Sequence, residues 1–139
     1  MAVIEQLTTV DQWEHLQKNP GLSLVFKHST SCPISAEAHR QFTRWAASAP
    51  DTTVKIYLVH VIEDRPLSRQ IATDTGVTHQ SPQALLLREG RVLWYASHWA
   101  ITADSLAESI AHPETATSHS TSLLQAQVEH RAQLAQTKQ

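Results

Sequence analysis

The residue with the clearest chemical potential is Cys32, the only cysteine in a chain of 139 residues. It sits in the stretch His28-Ser-Thr-Ser-Cys32-Pro-Ile-Ser35. An apolar run, Leu22-Ser-Leu-Val-Phe26, leads into that stretch, and a helical pattern leads out of it. A strand that ends in a turn and delivers a cysteine to the start of a helix is a way to make a nucleophile. The unpaired backbone N–H groups and the partial positive charge at the helix N-terminus favour a thiolate over a thiol. A protonated His28 and Lys27 could add to that effect, but the sequence does not show which way either side chain points.

A thiolate attacks a disulfide sulfur and passes through a mixed disulfide. Where a Cys-x-x-Cys motif would supply a second sulfur to resolve that intermediate, this chain has Ser35. Ser35 can hydrogen-bond the sulfur, but it cannot close a disulfide. A mixed disulfide on Cys32 must therefore wait for an external thiol, which is a monothiol route. A lone cysteine also suits a small buried apolar site. The strand-turn-helix setting and a downstream Ser81-Pro82 pair favour the nucleophile. The nine histidines fall into no His-Glu-x-x-His or paired-cysteine pattern, so no metal site is expected. Ser97-His98-Trp99 follows a strand and is a candidate to face the reacting sulfur; a capped turn with Trp99 in the core is the other reading.

The elements that position these residues follow from local signals. Thr9 and Gln12 suggest a capping box opening a helix that Asn19-Pro20-Gly21 stops. Leu22 to Lys27 reads as a strand. Pro33 suits the first helical position, and Ile34, Ala38, Phe42, Trp45 and Ala49 form one apolar face. Pro50-Asp51 ends that helix. Val54 to Val61 reads as a central strand covered on both faces. Asp64 and Pro66 open a helix with Leu67 and Ile71 inward, and Gly76 fits its left-handed end. Gln83–Arg88 and Arg91–Ala96 flank a Glu89-Gly90 turn as an antiparallel hairpin. Thr102 caps a last core helix, which Pro113 ends. The order (β)-α-β-α-β-α-β-β-α is that of an α/β, thioredoxin-like three-layer fold, a mixed sheet with helices on both faces. In that fold the proline before the hairpin is cis and lies against the reactive sulfur, and Pro82 stands at that place.

Composition narrows the functional classes. Hydrophobic residues are 41% and charged residues 17%, with a formal net charge of −2. That balance suits a globular domain and offers no basic excess for nucleic acid. No apolar run approaches the roughly 20 residues a membrane span needs. No signal peptide is visible at the N-terminus, and one cysteine excludes an internal disulfide, so a reducing, cytoplasmic setting is expected. Residues 1–112 read as the folded domain. Residues 113–139, rich in Ser, Thr, Gln, Ala and His, read as a polar extension, weakly helical over 122–135 or disordered.

Four motifs together carry a resemblance. Phe26-Lys-His-Ser-Thr-Ser-Cys-Pro-Ile-Ser35, Val61-Ile-Glu-Asp-Arg-Pro66, His79-Gln-Ser-Pro-Gln83 and Ala96-Ser-His-Trp-Ala-Ile-Thr102 resemble the YtxJ family of monothiol bacilliredoxins in order and spacing. The similarity runs from about Val3 to His112. It implies a thioredoxin-like fold and removal of bacillithiol, or a similar small thiol, from S-thiolated proteins. No bound cofactor is implied; the small thiol is a co-substrate. Cys32, Pro33, Ser35 and Pro82 would form the catalytic centre, with His28, Thr30, Ser31, Ser81 and His98 around the substrate. Two other readings compete: a thioredoxin-like redox-sensing or partner-binding module without turnover, and a peroxidase, which needs rapid sulfenic acid formation at Cys32.

Overall fold

Alternation along one strand sorts the core in two. In Leu22–His28, Leu24 and Phe26 join a buried cluster with Phe42, Trp45 and Leu106, while Val25 joins another with Trp13, Leu67 and Ile71. Successive side chains of a strand point to opposite faces, so a strand apolar at both sets of positions must be covered on both. Fully burying a side chain such as Phe26 or Leu67 stabilises the fold by about 1.5–3 kcal/mol.

The structure, a computed structural model, describes residues 3–49, 54–116 and 118–120. In chain order its elements are β1 (Ile4–Gln6), α1 (Val10–Leu16), β2 (Leu22–His28), α2 (Pro33–Ser48), β3 (Lys55–His60), α3 (Arg65–Thr75), β4 (Gln83–Arg88) and β5 (Arg91–Ser97). A 3-10 turn (His98–Ala100), α4 (Ala103–Ala111) and β6 (His119–Ser120) follow. The sheet order is β1-β3-β2-β4-β5-β6. β1, β2 and β3 run parallel, β4 is antiparallel to β2 and β5, and β6 runs parallel to β5. α1 and α3 cover one face and α2 and α4 the other, which is the three-layer α/β arrangement expected.

Local chemistry explains most of the boundaries. The Thr9 hydroxyl accepts the Gln12 amide proton while the Gln12 side chain accepts from the Thr9 N–H, a complete capping box. Trp13 Nε1 donates to Asp74 Oδ2 at 2.8 Å and ties α1 to α3. Gly76 ends α3 at φ 72°. The hairpin turn places Glu89 at φ 53° and Gly90 at φ 78°, as a two-residue turn between twisted strands requires.

Three expectations change. The Val54–Val61 run is not the central strand. β2 and β4 hold the middle of the sheet, and β3 is flanked outward by the three-residue β1, which leaves Lys55 exposed and Tyr57 and Leu58 half-buried. On α2, Ile34 is half-buried, and Ser35 and Ala46 are buried beside Ala38, Phe42 and Trp45. The extension begins as part of the sheet. Ala116 packs on the α2–α4 cluster, Arg88 pairs with Glu114 at 2.9 Å, and Ser118 Oγ accepts the Tyr95 N–H at 3.1 Å. The pairing follows from the free backbone groups that β5 would otherwise present as an edge. The helix expected over 122–135 and the helix stop at Pro50-Asp51 lie outside the described residues.

Topology gathers the chemistry on one edge. Because β2 and β3 are parallel, the turn after His28 and the loop after His60 emerge together, joined by the Val61 N–H donating to His28 O at 3.0 Å. Because β4 is antiparallel to β2, its first residue, Gln83, lies opposite Lys27, so the preceding Ser81-Pro82 reaches the same edge. Ser97 pairs with Gln83, which brings His98 there too.

Candidate active site

Cys32 is the N-cap of α2, half-buried, and its side chain makes no capping hydrogen bond. Pro33 has no N–H, and the Ala36 N–H is taken by the Cys32 carbonyl at 3.0 Å. The amides of Ile34 and Ser35 are the first-turn donors left for a sulfur standing where a cap oxygen normally stands. The Cys32 N–H donates to Ser29 O at 3.4 Å and closes the turn that holds Thr30 and Ser31 on the surface. Ser31 Oγ lies 3.1 Å from Ser29 Oγ.

Ser35 is fully buried, and its hydroxyl is engaged away from the sulfur. Its oxygen accepts the Ser29 N–H at 2.9 Å and lies 2.8 Å from His28 Nδ1. Burial, with His39 and then His60 close by, pushes the His28 pKa down to about 4. The ring is therefore neutral at pH 7, and its Nδ1, with the Ser29 N–H, engages the Ser35 hydroxyl. Ser35 thus braces the active-site turn against the helix, and among the described residues its hydroxyl makes no hydrogen bond to the Cys32 sulfur.

His28 and Lys27, whose directions the sequence leaves open, both point to partners other than the sulfur. His28 is 7% exposed and stacks on His39 at 4.6 Å between ring centroids, with His60 at 6.1 Å. A neutral, buried imidazole adds no positive charge to the sulfur. Lys27 faces the opposite side of the sheet, toward α3, where its Nζ donates to Ser68 O at 3.3 Å and to His79 Nδ1 at 3.2 Å. Burial lowers its pKa to about 8.

The Ser81-Pro82 bond is cis. The His98 N–H donates to Pro82 O at 3.1 Å. His98 holds φ 54°, a left-handed conformation that costs a side-chain-bearing residue about 1–2 kcal/mol. Burial lowers its pKa, so it too is neutral. Three buried polar atoms here have no hydrogen-bond partner: Ser81 Oγ, Gln83 Oε1 and His98 Nδ1. Such atoms are rare in folded proteins, and three of them cluster around this one proline turn. Trp99 is 59% exposed and, with Pro33, Ile34 and Ile101, walls a cleft of about 360 Å³ beside the start of α2. The reading of Trp99 as a core residue is thus corrected.

The edge therefore brings together Cys32, Pro33, Ser81, Pro82 and His98, with Thr30 and Ser31 on the turn and His28 and Ser35 beneath it. Residue types and spacing do not point to His39 and His60, which flank His28, or to Ser68 and His79, which meet Lys27. A lysine in an apolar strand was the signal that such partners exist. Among the described residues, no three His, Cys, Asp or Glu side chains converge as a metal site would require.

Comparisons with known proteins agree with this geometry. Among solved structures, a thioredoxin-fold protein classed with the oxidoreductases is 36% identical, with 77% of this chain and 93% of that one covered at a TM-score of 0.69. Thioredoxin from Malassezia sympodialis is 12% identical over 83% of this chain and 94% of its own, at a TM-score of 0.68. Thioredoxin from Trypanosoma brucei brucei is 17% identical over 78% and 88%, at 0.63. The last two establish the thioredoxin fold alone. Residues 5–106 match the family described as Monothiol bacilliredoxin BrxC, and that span holds the cysteine turn, the cis-proline and His98. With its single cysteine at the start of α2 and serine at the resolving position, the chain belongs to the monothiol bacilliredoxin family.

Proposed function

We propose that the protein removes bacillithiol from protein mixed disulfides in the cytoplasm, with Cys32 as acceptor. The Cys32 thiolate attacks the bacillithiol sulfur of a protein–S–S–bacillithiol bond. A bond between Cys32 sulfur and bacillithiol sulfur forms, the disulfide bond between bacillithiol sulfur and the substrate protein's sulfur breaks, and the leaving protein thiolate takes a proton from solvent. A second small thiol, as thiolate, then attacks the bacillithiol sulfur on Cys32. It leaves as a disulfide with bacillithiol, and the Cys32 thiolate returns.

The observation that carries this reading is the pairing of a half-exposed Cys32 at a helix start with a serine, not a second cysteine, at position 35. Nothing internal can resolve the intermediate, so the second thiol must come from outside. The cytoplasmic setting is supported by the lack of a second cysteine and by the need for reduced small thiols. No helix of the described residues is long and apolar enough to cross a membrane.

The test is intact mass after mixing reduced protein with a bacillithiolated test protein, with Cys32→Ser alongside. The expected result is a gain of one bacillithiol on the wild type only, with release of the reduced test protein. No transfer to the wild type overturns the reading.

A further inference from the structure

The side of the site opposite Trp99 has a different character. The loop after β3 and the first turns of α3 enclose a cleft of about 270 Å³ lined by Val61, Ile62, Arg65, Ser68, Arg69 and His79. Val61 is bonded to His28, four residues before Cys32, and His79 is three residues before Pro82. Two of its walls therefore continue directly into the loops that present the sulfur.

The cleft is cationic by construction. Arg65 and Arg69 are one helical turn apart on α3, so their side chains lie on one face. Both are exposed, and neither forms an ion pair among the described residues, although Glu63 and Asp64 precede the helix. At the base, the Lys27 ammonium donates to His79 Nδ1, and Ser68 Oγ lies 3.2 Å from the same nitrogen. A neutral His79 must then carry its proton on Nε2, which makes the exposed side of the ring a donor. Two guanidinium groups and an imidazole N–H, with a buried ammonium behind them, suit a carboxylate, which binds most strongly to charged donors.

We propose that this cleft is the subsite for the carboxylate end of the small thiol being transferred to Cys32, with Arg65 and Arg69 as the charged contacts and His79 as a donor positioned by Lys27. The assignment rests on the function proposed above. Bacillithiol carries carboxylates remote from its sulfur, so a subsite set apart from Cys32 on the same edge fits its shape.

The experiment measures transfer rates to Cys32 from one test protein carrying bacillithiol, coenzyme A or 2-mercaptoethanol on the same cysteine. The first offers carboxylates, the second phosphates and the third no charge. The variant is Arg65→Ala/Arg69→Ala, and Arg44→Ala/Arg91→Ala removes the same charge at exposed positions elsewhere. The expected result is a loss of about tenfold or more for bacillithiol in the first variant, as loss of charge-assisted hydrogen bonds predicts. Transfer of 2-mercaptoethanol stays within about twofold, and the control variant matches wild type. Equal losses on all three adducts, or no loss on bacillithiol, overturn the subsite while leaving Cys32 transfer standing. A loss confined to coenzyme A overturns the carboxylate assignment. Failure of the wild type to accept bacillithiol while still accepting 2-mercaptoethanol overturns both readings.

Discussion

Ser35 Oγ and His28 Nδ1 lie 2.8 Å apart and are hydrogen-bonded to each other in a buried place. In a cysteine motif with serine at the resolving position, that serine would be expected to serve the sulfur. Here it holds together two loop segments under it. The sulfur is left with helix amides and the cis-proline turn.

Ser35→Ala should therefore damage stability more than chemistry. It leaves the Ser29 N–H and His28 Nδ1 without partners in a buried place, at a cost of about 1–3 kcal/mol. Denaturant unfolding is expected to show that loss. The folded fraction is expected to transfer the small thiol to Cys32 within about threefold of the wild-type rate, since one net hydrogen bond's worth of misplacement is all the sulfur feels.

Stability should fall as the solution is acidified, and His28 should be the main contributor. Its pKa is about 4 in the fold against 6.5 for an unperturbed ring. Between those values the unfolded chain binds a proton that the folded chain excludes, so stability falls as pH drops through that window. His39, His79 and His98 are lowered in the same direction by burial. Unfolding midpoints between pH 4 and 7 should rise with pH, and His28→Asn should flatten that slope. An unchanged slope would refute the assignment to His28.

Lys27→Met tests the buried ammonium. Lys27 is fully buried with no carboxylate partner among the described residues, and its pKa is lowered to about 8 by that burial. Ionised groups buried without a counter-charge cost stability, so an apolar side chain of similar length is expected to leave the protein as stable or more stable, by about 1 kcal/mol. Transfer of a carboxylate-bearing thiol is expected to slow, because His79 loses the donor that sets its proton. Thermal unfolding and transfer rates measured on the same sample separate the two effects.

Which of these features were visible in the sequence depends on the range of the interaction. Cys32 at a helix start, the cis-proline position and the Glu89-Gly90 hairpin are local, each marked by Pro, Gly or a change of hydrophobic period within a few residues. The bond between His28 and Ser35 spans a strand, a turn and a helix, and no periodicity reveals which way the imidazole points. Lys27 could be seen as a charge in an apolar strand. Its face, and hence its distance from the sulfur's side of the sheet, depends on Leu67 and Ile71 of α3 packing against Val25. Sheet order was similarly beyond reach for β3, because a three-residue β1 decides how much of it is covered. Pairing of His119–Ser120 with β5 depends on an edge that exists only once the sheet is built.

His98 separates backbone from side chain. Its φ of 54° favours glycine, and its N–H holds Pro82 O at 3.1 Å. His98→Gly and His98→Ala remove the same imidazole, but only alanine pays the left-handed penalty, so the glycine variant is expected to be the more stable by about 1 kcal/mol. If the imidazole contacts the bound thiol through its unpartnered Nδ1, both variants should transfer more slowly than wild type and by the same factor. If His98 acts only by fixing the backbone at Pro82, the glycine variant should transfer at the wild-type rate while alanine falls behind. Unfolding curves and transfer rates for the pair decide between contact and positioning, because stability and rate diverge in the first case and move together in the second.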